Sequence, residues 1–528
     1  MEVRLESKVG PRVASPSASI DHFAKQTEFR QTQWAQRLAD NFDAFGDIEQ
    51  EIDQHFRQGA GQLVAALLQK VTVQPAMAEQ VEQIRRQAAI PLRTPQSRPL
   101  QVRLLCGLVL FLSTGYCAPR CGKRNTSPSQ QQGGLYPELA ALGFGKGCSP
   151  ALQYTVARMV ALNPSIAVAR QELARQGIRL NIKTVRRIAE QLGAQLVAMR
   201  QRELLAWRAG TLPAGTDFAG RRVAVQIDGG RVRLRENKRS KKKRQKAQRR
   251  KFHVPWREPK VLTIFEIDKT GKMTKKHRQP LIDGTLLGPD HLAELLAYHL
   301  HRLGVAQAEL VVFASDGARW IWDRLEWIQR RAGIDPSRTV HVLDFCHAAH
   351  HVSLALKALG LEETQRQETF GRMRKLLKRS RYDQIVEQLQ KLACGQPKDS
   401  DVWTEIRYLQ RHGQEGHLHY ATFRRRGIPC GSGAIESTIR RVINQRLKSN
   451  AVYWLQENAE AMFAVRATLL CDRWEETLTR VRRAMARDRS LDWKWDAPDA
   501  SSELNGNNAV YPPQSQPVTL QPHAAAAA

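Results

Sequence analysis

Three acidic residues stand where a folded α/β sheet can bring them together. Asp228 closes the apolar run RVAVQID, Asp316 closes AELVVFASD, and Glu436 falls in the first turns of a helix that follows the turn-rich GIPCGSG. In an open α/β sheet the carboxyl ends of neighbouring strands share one rim, so two Asp far apart in sequence can meet there, and a helix packed on the sheet can add the Glu. Three such carboxylates repel one another in a low dielectric, and divalent cations with a preference for oxygen relieve the repulsion. Two ions about 3.5 to 4 Å apart suit phosphoryl transfer, activating a water or a 3′-hydroxyl and stabilising the leaving oxygen. Each acid also has a plainer reading. Asp228-Gly229 between alternating apolar residues is a hairpin signal, Asp316 can cap the following helix, and Glu436 can complement a helix dipole.

The basic residues suggest what the carboxylates would act on. Lys and Arg number 82 against 51 Asp and Glu, a formal charge of +31 over 528 residues, which calls for a polyanionic partner. Beside Asp228 runs a basic stretch that includes Arg233, Arg235, Lys238, Lys241, Lys242 and Lys243, with a single acid and no aromatic residue between Arg235 and Phe252. It reads as a phosphate-binding arm or, more plainly, as a solvated connection between strands. Upstream, AVARQELARQG followed by IRLNIKTVRRIAEQLG has the lengths and short turn of a helix-turn-helix. Lys183, Arg186 and Arg187 open its second helix, where a recognition helix would present side chains to the major groove. An ordinary helical hairpin fits the same pattern. After Glu436, Arg440, Arg441, Asn444 and Lys448 can grip DNA or form a wet helix face, while Ile435, Ile439, Val442 and Ile443 make its buried stripe.

The elements that must position these groups follow from periodicity. Residues 18–92 have helix-spaced apolar positions such as Phe42, Ile48, Ile52, Phe56, Leu63, Ala66 and Leu67, and predict two or three helices. Residues 99–117 predict a short hairpin, and 149–207 three helices broken at Asn163-Pro164 and Gly177-Ile178. From Pro213 strands predominate. Residues 222–234, 260–268, 308–317 and 339–345 read as strands, and the helical segments after Pro289 and Ala318 imply parallel pairing. Residues 348–419 read as helical and basic, a long helix starts near Ala434, and the Pro-, Asn- and Ala-rich stretch beyond Asp496 is assigned no fold.

Four segments carry a resemblance. Ile227-Asp228-Gly229-Gly230 with Val232 and Arg233, Ser315-Asp316-Gly317-Ala318-Arg319-Trp320-Ile321-Trp322, Leu343-Asp344-Phe345-Cys346-His347-Ala348, and Gly431-Ser432-Gly433-Ala434-Ile435-Glu436 with Arg446-Leu447-Lys448 resemble bacterial insertion-sequence transposases of the ISKra group, of the DDE type and more distantly similar to Mutator-like elements. The match covers roughly residues 100–470, with the segments in family order. The resemblance implies an α/β fold with an RNase H-like catalytic core and a helical insertion, preceded by a mostly α-helical DNA-binding region. It implies Asp228, Asp316 and Glu436 as catalytic metal ligands for two Mg²⁺ or Mn²⁺ ions. Asp344-x-x-His347 resembles a supporting element of the Mutator-like enzymes, and Asp344 is the rival to Asp316 as second ligand. The expected divisions are 1–98, 99–212, 213–347, 348–426, 427–496 and 497–528. The expected activity is cleavage of element ends and strand transfer into target DNA, by a homo-oligomer assembled on double-stranded DNA. A nuclease that cuts without joining, or a non-catalytic DNA-binding derivative, shares the same features; an RNA-binding role for the basic run is a further alternative.

Structural zinc is not expected. Cys117-x3-Cys121 supplies half a site, with Cys106 and Cys148 at irregular spacing and no intervening His, and Cys346, His347 and His351 form only a weak pattern. Eight cysteines make no disulfide framework. The longest apolar stretches fall well short of the roughly 20 residues of a membrane span, and MEVRLESKVG lacks the features of a secretory signal. The expected location is therefore the bacterial cytoplasm, on the nucleoid.

Overall fold

The structure, a computed structural model, describes residues 2–5, 16–88, 91–118, 120, 135–237, 251–448 and 452–487. It is a mixed α/β protein in which helices cover both faces of one central sheet. The strands of that sheet are β1 (Arg222–Gly229), β2 (Lys260–Ile267), β3 (Leu281–Thr285), β4 (Leu310–Ser315) and β5 (Thr339–Leu343). They lie in the order β3-β2-β1-β4-β5, and a two-residue strand, Met273–Thr274, also pairs with β2.

The parallel pairing expected from alternating strands and helices holds for β1, β4 and β5. It fails for β2, which is antiparallel to both β1 and β3. The reason is connection type: a helix long enough to cross the sheet, α1 (Pro289–Arg302) or α2 (Arg319–Ala332), precedes β4 and β5, whereas among the described residues no helix lies between β1 and β2 or between β2 and β3. The hairpin reading of Asp228-Gly229 also fails, because Val232–Arg233 pairs with Trp256–Arg257 and not back onto β1.

Successive side chains of a strand point to opposite faces, and both faces are dry here. Val223, Val225, Ile227, Leu262 and Ile264 pack with Leu292, Leu296, Leu300, Ile321 and Leu325 of α1 and α2. Ala224, Phe265, Val312, Ala314 and Val342 pack on the other side against α3 (Phe345–Ala358) and the helical insertion, through Val352, Leu377, Leu389, Ile406 and Tyr420. Helices fill the insertion at Glu363–Lys378, Tyr382–Leu392, Asp401–Gln414 and Tyr420–Arg425, as the sequence predicts.

The three helices predicted over 149–207 run Pro150–Leu162, Ile166–Arg175 and Ile182–Arg208. They share a core with α4 (Gly433–Ile439) and α5 (Gln456–Leu470), in which Val185, Leu192 and Leu196 meet Ile435, Ile443 and Phe463. Gly193 lets the helix Ile182–Arg208 reach α5: a Cβ there would stand 2.5 Å from the Ala461 carbonyl oxygen. The long helix expected from Ala434 is shorter. It widens into a π-helical turn over Arg440–Asn444, and α5 begins afresh beyond it.

Helices Pro16–Asp40, Phe45–Thr72 and Pro75–Arg86 occupy the region read as two or three helices. The apolar spacing there misleads about burial. Ile48 and Ala66 are buried, but Phe42, Phe56, Leu63 and Leu67 are more than half exposed. The predicted hairpin is present as Gln96–Arg103 and Val109–Tyr116, joined by Glu2–Leu5 as a third strand. Among the described residues no helix is long and apolar enough to cross a membrane. The segment beyond Asp496 lies outside the described residues.

Candidate active site

The register of the sheet sets three Asp side by side. Ile227, Ser315 and Leu343 pair in one row across β1, β4 and β5, so Asp228, Asp316 and Asp344 each follow that row at the same end. Glu436 reaches this rim from far along the chain, and hydrogen bonds from the same strands bring it there. Gln226, a buried amide two residues before Asp228, donates to Gly431 O at 3.0 Å and accepts from Ile435 N at 2.9 Å. One Asp344 oxygen accepts from Ser432 N at 2.6 Å and from Ser432 Oγ at 3.0 Å. Ser432 Oγ in turn lies 3.5 Å from Glu436 Oε1.

The geometry separates the roles of Asp316 and Asp344. The second oxygen of Asp344 accepts from His347 N at 2.9 Å and caps α3, so both its oxygens are taken, and the residue is 2 % exposed. Asp344 positions the turn that carries Glu436. Asp316 makes a single such bond, from Ala318 N to its Oδ1 at 3.1 Å, and its carboxylate faces the charge of His347.

Burial first, and then the charges of Asp316 and Glu436, push the Asp228 carboxyl up to about 6, against the Gly229 N–H and the His347 ring. Burial also raises Asp316, helped by Glu258 and opposed by the Ala318 N–H, His347 and Lys260. Among the described residues none of the three acids is ion-paired with a Lys or Arg. Their oxygens do not all fall within 4.8 Å of one another, a wider spacing than a single small ion would draw together.

Several contributors carry no sequence motif. Lys260 is buried at the start of β2, its Nζ 2.8 Å from Glu258 and 4.0 Å above the Trp320 ring. The Glu258 carboxylate lies in the space a Cβ at Gly229 would occupy, 1.8 Å from that point. The Trp322 indole donates to Asp316 O at 2.7 Å. Gln226 is the one of these with a visible signal, a lone amide inside VAVQI.

The expected DNA-contacting residues divide into groups. Arg233 and Lys448 both approach the half-exposed Trp256 ring, at 5.4 and 5.9 Å, and Arg235 lies 4.3 Å over Phe252, which neighbours Tyr453. Backbone bonds from Trp454 N to Arg233 O and from Arg235 N to Trp454 O fix this ribbon against the segment after α4. Basic groups interleaved with aromatic rings suit a nucleic-acid strand. Lys238, Lys241, Lys242 and Lys243 lie outside the described residues; the ribbon Glu236–Asn237 and Phe252–His253 holds the two ends of their segment together. Arg440 is exposed beyond Glu436. Lys183, Arg186 and Arg187 are exposed on the first turns of Ile182–Arg208, whose start is capped by Asn181 accepting from Thr184 N at 2.8 Å. The rest of that helix is embedded in the shared core.

The Cys117-x3-Cys121 pattern includes Cys121, which lies outside the described residues, and Cys346, His347 and His351 do not form a donor cluster: Cys346 is exposed and His351 is bound to Glu405 at 2.5 Å. A different set does converge, His412, Glu415 and His417, with donor atoms all within 4.8 Å. Comparison with protein-family profiles, curated proteins and solved structures finds no match to this chain.

Proposed function

We infer that this protein is a metal-dependent DNA phosphoryl-transfer enzyme, a transposase of the DDE type that cuts element ends and joins them to target DNA. One observation carries the reading: Asp228 and Asp316 end neighbouring strands at one rim of the sheet, Glu436 lies near enough to act with Asp316 on Asp228, which is pushed up to about 6, and no Lys or Arg is paired to any of them among the described residues. Partly buried like charges such as those of Asp228 and Asp316 are costly unless a cation joins them. An all-oxygen donor set suits Mg²⁺ or Mn²⁺, and Asp228, Asp316 and Glu436 would hold it. Bound there, two ions would supply activation of the attacking hydroxyl and stabilisation of the leaving oxygen.

The protein's own residues do the rest. Asp344, at the end of β5, and Gln226, on β1, hold the Glu436 turn against the rim where the two Asp stand. His347 stands beside both Asp. Arg233, Arg235, Arg440 and Lys448, with the arm from Lys238 through Lys243, would grip phosphates, and Lys183, Arg186 and Arg187 would contact the end sequence. What supports an RNase H-like core is the five-strand order with antiparallel β2 and a helix before each of β4 and β5. Joining two ends requires two active sites at one synapse, so the working form is a homo-oligomer on DNA.

The test is cleavage and joining of labelled end DNA with Mg²⁺ or Mn²⁺. Glu436→Gln and Asp316→Asn should bind DNA but lose about 100-fold or more in both steps, the upper range for disturbing a metal site. Asp344→Asn should retain more activity than either. Cleavage without joined product would instead identify a nuclease, and tight binding without cleavage a DNA-binding derivative.

A further inference from the structure

The helical insertion ends in a cluster that the carboxylate chemistry does not use. His412 closes helix Asp401–Gln414, and Glu415 and His417 follow in the turn, with Gly416 in the left-handed conformation at φ +79°. His412 Nδ1 lies 3.0 Å from His417 Nδ1, and Glu415 Oε2 lies 3.3 Å from His417 Nδ1 and 3.9 Å from His412 Nδ1. Zinc bound to nitrogen and oxygen at about 2.0 to 2.2 Å in a tetrahedron holds its donors about 3.3 to 3.5 Å apart, within the range of these three separations. Both histidines are buried, whereas the Glu415 side chain is about half exposed, so one side remains open.

Protons alone do not satisfy this set. Arg411 donates to His412 Nε2 at 3.0 Å, which leaves the single ring proton of neutral His412 on Nδ1, shared with His417 Nδ1. The Glu415 carboxylate then faces the His417 Nδ1 lone pair at 3.3 Å with no hydrogen between them. A cation at the centre removes that conflict. It requires the His412 proton to sit on Nε2 and Arg411 to turn away.

We propose that His412, Glu415 and His417 bind one zinc ion with an open fourth position, and that the ion pins the helical insertion to the sheet beside Asp316. The pin has visible anchors. Leu343 N at the end of β5 donates to His417 O at 3.2 Å. The Trp322 ring packs on His417 at 4.2 Å between centroids, while its indole donates to the Asp316 carbonyl. Two imidazoles and one carboxylate favour zinc over magnesium, which prefers oxygen alone.

The experiment is zinc titration of the full-length, chelator-stripped protein against a competing chelator, with metal content measured by mass spectrometry. Wild type should take up one zinc in this site. Glu415→Gln, altered at a half-exposed side chain, should weaken it about 10-fold or more, while Arg411→Gln should tighten it and Asp316→Asn leave it unchanged. Stripping zinc should lower the Tm of wild type by more than that of Glu415→Gln. Absence of stoichiometric uptake by folded wild type, or equal affinity in Glu415→Gln, overturns the site. Neither result depends on DNA cleavage, so a failure here is distinct from a failure of the transposase reading.

Discussion

Replacing Asp228 by Asn should stabilise the metal-free protein. The Asp228 carboxyl stands at about 6 against an ordinary 3.8, raised first by burial and then by Asp316 and Glu436. A displacement of about two pKa units corresponds to about 3 kcal/mol when the group is fully ionised in the folded state. Here the folded pKa lies above the unfolded one. The cost is therefore absent below about pH 4, grows as pH rises through 6, and is complete near pH 8. Asn keeps an oxygen for the Gly229 N–H, which bonds Asp228 Oδ1 at 2.6 Å, and removes the charge, so the expected gain at pH 8 is about 1 to 3 kcal/mol.

Urea unfolding in EDTA, followed by tryptophan fluorescence, would read this, because Trp322 bonds the Asp316 carbonyl and Trp320 lies under Lys260 at the same end of the sheet. The Asn advantage should fall away between pH 7 and pH 4. Mg²⁺ should stabilise wild type and not the variant, since only an intact site gains binding energy in the folded state. An Asp228→Asn protein less stable than wild type at pH 8 in EDTA, or an advantage unchanged at pH 4.5, would refute the claim that like charge and burial strain this site.

Asp344 should behave in the opposite sense. Asp344→Ala removes a helix cap and leaves the buried Ser432 N–H without its acceptor, costing about 2 to 4 kcal/mol by urea midpoint at pH 7; a change under about 0.5 kcal/mol would contradict the positioning role. At the proposed DNA surface, Lys448→Ala should reduce the slope of log affinity against log salt by about 1. It should do so equally for end and unrelated sequences, and a loss confined to end DNA in filter binding would mean base reading instead.

Much of the sheet was legible because its strands are written as unbroken apolar runs. LVVFAS and VLTIFEI can only be buried, and the following helix or turn marks their ends. β3 was not legible: LIDGT is five residues with a charge in the middle. Asp283 is tolerated there because Arg200 at 2.7 Å and His299 at 2.8 Å meet it, and those partners outweigh burial and hold it down at about 2. Arg200 also reaches Glu460 on α5, so the residues that make β3 possible lie on three distant elements. The antiparallel turn of β2 was hidden for a related reason, since pairing direction depends on a connection whose course the local pattern does not specify. At the site, the residue types of Asp228, Asp316 and Glu436 were readable, but the choice between Asp316 and Asp344 rested on which one has its oxygens already occupied. The spacing of His412, Glu415 and His417 was present in the sequence and said nothing until a turn folded their side chains together.

The rim therefore depends on long-range hydrogen bonds more than on the acids themselves. Asp228 and Asp316 are placed by the register of two adjacent strands, which a deep apolar core makes hard to shift. Glu436 lies in the first turn of a short helix and is exposed, so local structure alone leaves its direction loose. Its constraint comes from Gln226 and Asp344, which grip Gly431, Ser432 and Ile435, and from Ile443 packed where a Cβ on Gly230 would be. One grip originates on β1, which carries Asp228, and the other at the end of β5, beside the strand that ends at Asp316, so closing the chain over the helical insertion and bringing Glu436 to the rim are one event. A chain in which the insertion is misdocked would lose Glu436 while keeping both Asp in place, so the insertion would be coupled to the proposed chemistry without contributing a ligand to it.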